Sequence, residues 1–96
     1  MFHHIVLMRI AGADAEFHSR VEAYAERIRR ELPYVRSYTY GPNRADRSGG
    51  YDWAVLSTFE TSDDHDRYQV SELHQEMRAY MTPFIEALIA CDVAAD

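Results

Sequence analysis

Tyr68 and His74 stand six positions apart in the stretch YQVSELHQEM, Tyr68 to Met77, with Ser71 and Glu72 between them. A phenol donates a hydrogen bond to an oxygen on which negative charge develops, and a neutral imidazole is a general base near pH 7. Together they are the parts of an acid–base site acting on a carbonyl compound. Ser71 has the residue type of a helix N-cap, so Tyr68 ends one predicted helix and His74 falls at about the third position of the next. The partial positive charge at a helix start disfavours imidazolium, which suits a base. The same two side chains serve equally as a packed tyrosine and a histidine bonded to backbone, and the local sequence leaves both readings open.

Positioning such a pair requires a scaffold, and the apolar periodicity predicts one. FHHIVLMRI, Phe2 to Ile10, is a strand with Phe2, His4, Val6, Met8 and Ile10 on one face and His3, Ile5, Leu7 and Arg9 on the other. Both faces are largely apolar, so both need cover. AGAD then turns the chain, with Asp14 as N-cap. From Ala15 to Leu32 the apolar residues Phe17, Val21, Tyr24, Ile28 and Leu32 mark one stripe of a helix. Glu16 with Arg20 and Glu26 with Arg30 are spaced as ion pairs on its charged side, and Pro33 stops it.

Tyr34 to Gly41 and Tyr51 to Phe59 read as the second and third strands, separated by the polar turn-rich loop Gly41 to Gly50. Thr61 and Ser62 open a helix with acids in its first turn. Ser71 opens the next, with the stripe Leu73, Met77, Tyr80 and Met81, ended by Thr82-Pro83. Glu86 to Val93 is the candidate fourth strand. The order is strand, helix, strand, strand, helix pair, strand. It predicts an α+β, ferredoxin-like βαββαβ protomer with a four-stranded antiparallel sheet, as one domain over residues 1–96. Helices sufficient for one sheet face leave the other bare, and that face would carry Ile5, Leu7, Val35, Ala54 and Leu56. A second copy packing sheet on sheet, a homodimer, would cover it.

Composition narrows the function classes. The formal charge of −6 argues against a broad nucleic-acid surface and against an anionic membrane. Arg27, Arg29 and Arg30 read as a solvated helix face. With Cys91 alone, neither an intrachain disulfide nor a cysteine zinc cluster forms, and Cys91 itself reads as a small buried hydrophobe. Neither a signal-peptide pattern nor an apolar run of roughly 20 residues is present, so a soluble cytoplasmic protein is expected. His3 and His4 point to opposite faces and cannot share one ion. His65 and Asp66 read as part of an exposed acidic turn, and His18 as surface. No metal and no cofactor are expected, and no phosphate loop or serine-hydrolase elbow is found.

Several segments in order resemble the stress-responsive dimeric α/β-barrel domains. HIVLMRI from His4 is similar to that family's opening strand, YGPN with Gly41 and Asn43 to its strand-two exit, and GYDWAVLSTFET, Gly50 to Thr61, to its third strand and following turn. YQVSELH resembles a tyrosine followed by a His-Pro-x-His segment, with Ser71 and Glu72 in place of its first two residues. CDV at Asp92 is similar to the closing strand. The resemblance implies two ferredoxin-like protomers closing a barrel. Some members, olivetolic acid cyclase among them, cyclise polyketides, and their tyrosine, histidine and early strand histidine match Tyr68, His74 and His4. Trp53 stands where that plant cyclase has a histidine, and His65 where an apolar residue is common.

On this resemblance Tyr68, His74 and His4 are the candidate catalytic residues, with His74 as base and Tyr68 as donor. Tyr24, Tyr38, Trp53, Val55, Ser57 and Met77 are the candidate substrate-binding wall, in keeping with pockets that are mostly apolar with a few placed polar groups. The expected ligand is a small apolar carbonyl or aromatic compound, and the expected chemistry a cyclase-like lyase or isomerase step. A ligand-binding or structural dimer without turnover is the alternative, as is a cofactor-free monooxygenase of the related antibiotic-biosynthesis type. Fold analogy alone does not choose among them.

Overall fold

A computed structural model describes residues 1–95; Asp96, the last residue of the expected domain, lies outside them. The elements follow the predicted order: β1 Phe2–Ile10, α1 Ala15–Glu31, β2 Val35–Pro42, β3 Trp53–Phe59, α2 Ser62–Gln69, α3 Glu72–Met81, a short 3₁₀ turn Thr82–Phe84, and β4 Ile85–Ala94. The sheet order is β2-β3-β1-β4 with every neighbouring pair antiparallel. This is the ferredoxin-like arrangement. Its first and last strands lie side by side because each βαβ half makes a crossover.

The caps are local and chemical. Asp14 accepts from the Phe17 amide at 3.0 Å and starts α1, and Thr61 accepts from the Asp64 amide at 3.2 Å and starts α2. The stripe of α1 buries Phe17, Val21, Ala25 and Ile28. These residues, Met8, Tyr38, Val55 and Phe59 from the sheet, and Leu73, Met77 and Met81 from α3 make one apolar layer between sheet and helices. Glu26 pairs with Arg30 as the spacing predicts. Arg20 instead lies over the Tyr80 ring at 4.2 Å, where a cation meets the negative face of an aromatic.

The bare sheet face is real but differs from the predicted one at one residue. Val35 is buried in the core layer. A register shift between Val35 and Ser37 inserts one residue into β2, and one extra residue reverses the inward–outward alternation. The face is carried by Ile5 and Leu7 on β1, Leu56 and the small Ala54 on β3, and Ile89, Cys91 and Val93 on β4, which the pairings Ile5↔Leu56, Ile5↔Cys91 and Leu7↔Ile89 bring together. Cys91 is therefore exposed in the isolated chain, not buried as its residue type suggested. Leu56 is 49% exposed.

The break between α2 and α3 is the local feature that positions the candidate site. Ser71 Oγ accepts from the His74 amide at 3.2 Å and donates to the Tyr68 carbonyl at 2.8 Å, tying the end of one helix to the start of the next. Ser71→Ala should lower stability by about 1 kcal/mol in urea unfolding, and Ser71→Gly by only a few tenths. Equal losses would mean that the serine does not act as a cap.

Candidate functional site

Tyr68 and His74 meet. Their ring centroids are 4.5 Å apart across the α2–α3 break, and both line a cavity of about 460 Å³ between the sheet and α3. His4 lines the same cavity from β1, with Val6 and Met8 beside it, Tyr38 and Val55 from the neighbouring strands, and Met77 and Met81 from the helix above. Six of the nine predicted site residues, Tyr68, His74, His4, Tyr38, Val55 and Met77, thus share one wall system. The other three are not among its lining residues. Tyr24 reaches across the helices to Glu76 at 3.4 Å. Ser57 turns its hydroxyl back to the His4 carbonyl at 3.2 Å. Trp53 is part of a separate stack: its ring lies 4.0 Å from that of His18 and 5.2 Å from that of Tyr40. His18, predicted as plain surface, is half-buried in this stack and hydrogen-bonds Tyr40 Oη at 2.9 Å.

The protonation pattern follows from the partners. A carbonyl only accepts, so the 3.0 Å contact between His74 Nδ1 and the Gln69 carbonyl places the ring proton on Nδ1. Nε2 then carries the free lone pair. Burial lowers the His74 pKa from its usual value near 6.5, with the Gln69 carbonyl opposing the shift and Arg78 adding to it. The imidazole is held neutral, as a base requires. Tyr68 is 2% exposed, and its hydroxyl pairs with that of Tyr38 at 2.8 Å. Burial raises both phenol pKa values well above the ordinary tyrosine range, so both keep their protons. Met77 Sδ lies 3.7 Å from Tyr38 Oη as a further weak acceptor.

His65 is the main correction. It is 6% exposed, not part of an open acidic turn. On α2 it stands three residues before Tyr68, so both side chains face the sheet while the acids around them face solvent. Its ring packs among Phe2, Phe59 and His4, with a centroid separation of 4.3 Å to His4. Burial, with His4 beside it, lowers its pKa. Gln69 Nε2 donates to His65 Nε2 at 2.9 Å, so one glutamine fixes His74 through its backbone and His65 through its side chain.

Asp92, on β4, accepts from His4 Nδ1 at 2.5 Å. Neither Gln69 nor Asp92 was among the predicted site residues. The alternation of Leu88, Ala90 and Asp92 carried a signal for the second, since it puts all three on the His4 side once β4 pairs with β1.

The depressed His74 pKa has a consequence for stability. A histidine that binds its proton less readily folded than unfolded destabilises the native state as it protonates. Stability is therefore unaffected above the ordinary pKa near 6.5 and falls as pH drops below it, until the lower folded pKa is passed. Urea unfolding of wild type and His74→Gln from pH 8 to 5 should show the wild type losing ground relative to the variant below about pH 6.5. A constant difference across that range would mean that the imidazole is not held neutral by the fold.

Comparison with known proteins agrees with this architecture. A profile for the stress responsive A/B barrel domain matches residues 2–95. No curated protein matches the sequence. Among solved structures, a dimeric ferredoxin-like protein from Jannaschia sp. CCS1 superposes with a TM-score of 0.86 at 23% identity, covering 98% of this chain and 98% of that one. The hydroxynitrile lyase from Passiflora edulis gives 0.85 at 19% identity, over 99% of this chain and 93% of that one. A dimeric ferredoxin-like protein from Thermobifida fusca gives 0.83 at 22%, over 98% and 90%. Likeness at these identities is likeness of fold. With 94 consecutive positions inside the profile and the βαββαβ sheet it requires, the chain belongs to the stress-responsive A/B barrel domain family.

Proposed function

We propose that the protein binds a small apolar carbonyl or aromatic compound in the cavity and moves a proton next to its carbonyl group, with His74 as base and Tyr68 as hydrogen-bond donor. The observation that carries this reading is a neutral imidazole with a free Nε2, 4.5 Å ring to ring from a phenol, on the wall of one largely apolar cavity of about 460 Å³. A volume of that size holds a compact organic molecule. An apolar wall desolvates the carbonyl, so each aimed donor counts for more than it does in water.

Tyr38 serves the donor. While the cavity is empty, Tyr68 can donate to Tyr38 and Tyr38 to the Met77 sulfur. When a carbonyl oxygen arrives, reversing the Tyr38–Tyr68 bond frees the Tyr68 proton for it. The hydroxyl pair is a two-position relay whose reversal exchanges a weak bond to sulfur for one to an oxygen gaining charge. A structural neighbour named as a hydroxynitrile lyase has this same fold.

Proton abstraction next to a carbonyl can be read without knowing the later step. In D₂O, deuterium uptake by a panel of aryl ketones and β-ketoesters, followed by NMR, should be accelerated by wild type. His74→Ala should lose roughly 10²–10⁴-fold of that acceleration. Tyr68→Phe should lower it while the fold is kept. Exchange no faster than in buffer, or unchanged in His74→Ala, would remove the base from the reading and leave a binding protein.

Homodimer formation belongs to the same proposal. It rests on the apolar patch of Ile5, Leu7, Leu56, Ile89 and Val93, which no element of this chain covers among the described residues, and on neighbours that are dimeric. Two such sheets packed face to face would bury it. Leu56→Asp would bury an unpaired charge there. Sedimentation should find wild type as a dimer at micromolar concentration and Leu56→Asp shifted toward monomer; a wild-type monomer would count against the packed sheets.

A further inference from the structure

Behind the cavity wall, three side chains from three elements converge: His4 on β1, His65 on α2 and Asp92 on β4. We propose that they form a binding site for a divalent transition-metal ion of the zinc, cobalt and nickel class. A donor atom from each lies within 4.8 Å of a donor from each of the others. The two imidazole rings are 4.3 Å apart by centroid, and His4 Nδ1 already contacts Asp92 Oδ1 at 2.5 Å. Metal–donor bonds of about 2.0–2.2 Å need donors roughly 3.3 Å apart. The His4–Asp92 contact would open slightly and the longest separation would close by about 1.5 Å, within reach of a side-chain rotation.

Donor chemistry sets the class of ion. Two nitrogens and one carboxylate suit the borderline metals, whereas magnesium and calcium take oxygen shells. Three protein ligands also leave a coordination position for water or a solute. The surroundings have the character of a metal shell. His65 packs against Phe2 and Phe59, which keep bulk water from its ring, and the Gln69 amide holds its Nε2 edge. A ligating histidine donates its far N–H to a carboxylate, carbonyl or water, so ligation by His65 through Nδ1 would turn the Gln69 amide over and set its Oε1, instead of Nε2, against the His65 Nε2–H. Asp92 lies on the edge strand with its side chain 41% exposed, so an ion has a path from solvent. In the metal-free protein the His4 Nδ1–H donated to Asp92 stands where the ion would bind, so ligation through Nδ1 takes the neutral ring in its other tautomer, with the proton on Nε2.

Two buried imidazoles 4.3 Å apart and tilted by 46° are otherwise a costly use of an apolar layer. Polar rings there give up hydration, and each here retains a single side-chain hydrogen bond in return. The site shares His4 with the cavity wall and Gln69 with His74, but ion binding there does not depend on the function proposed for the cavity.

Zinc titration by calorimetry and cobalt titration by visible absorption, on protein without a histidine tag, test the site directly. Wild type should bind one ion per chain. His65→Gln and Asp92→Asn should each weaken binding by at least about tenfold, while His3→Gln, on the opposite sheet face, should leave it unchanged. Asp92 is at an exposed edge, so Asp92→Asn keeps the test decisive should His65→Gln fail to fold. The proposal is overturned if wild type binds no more tightly than Asp92→Asn, or if His3→Gln abolishes binding.

Discussion

The two carbonyls at the end of α2 are the constraint on which the site depends. A helix terminus leaves its last carbonyls without partners, and here the chain turns immediately into a second helix, so water cannot supply them all. Ser71 Oγ takes the Tyr68 carbonyl and His74 Nδ1 takes that of Gln69. Each of these bonds fixes something else. The serine oxygen also accepts from the His74 amide, which sets the direction of α3. The imidazole proton, committed to the carbonyl, leaves the other nitrogen as an acceptor. Satisfying the backbone and preparing the candidate base are therefore one geometric event. Removing the break by a continuous helix would consume both carbonyls and carry His74 to another side of the layer.

The second consequence concerns polar groups in a thin core. Among the described residues no buried side-chain nitrogen or oxygen lacks a partner. The bonds are paired off: Tyr38 with Tyr68, His4 with Asp92, His65 with Gln69, Ser57 with the His4 carbonyl. In a low-dielectric layer an unpaired member of any of these would cost about 1–3 kcal/mol. The apolar residues around them, Val6, Met8, Val55, Met77 and Met81, fill volume and leave the cavity between. The two methionines of α3 suit an irregular wall, since an unbranched thioether adapts where a β-branched chain cannot.

β4 does two things at once. Its inner residues Leu88, Ala90 and Asp92 bring the cavity rim and the His4 partner, while its outer residues Ile89, Cys91 and Val93 extend the bare face. Period-two alternation makes this division automatic. A change on one face therefore reaches the other only through the backbone, and the bare face and the cavity can vary independently.

The sequence by itself determined the element order, the capping residues and most of the faces. Asp14, Thr61 and Ser71 act within three residues of themselves, and a stripe such as Phe17, Val21 and Ile28 declares its buried side by spacing alone. The Tyr68–His74 meeting was legible for the same reason, because one cap controls it. What tertiary structure decided lies at long separation or turns on a single inserted residue. The bulge after Val35 moved that side chain into the core, and nothing in YVRSYTY marks it. His65 sits among acids that predict solvent, yet the docking of α2 against Phe2 and Phe59 buries it. His18 and Trp53 form a stack across elements that sequence treats separately. Asp92 reaches His4 over 88 positions only because β4 pairs with β1 in one register, and a shift of one residue would turn it to the other face. Capping and periodicity are written in neighbouring residues; strand register and helix docking are fixed by the packing of the whole layer.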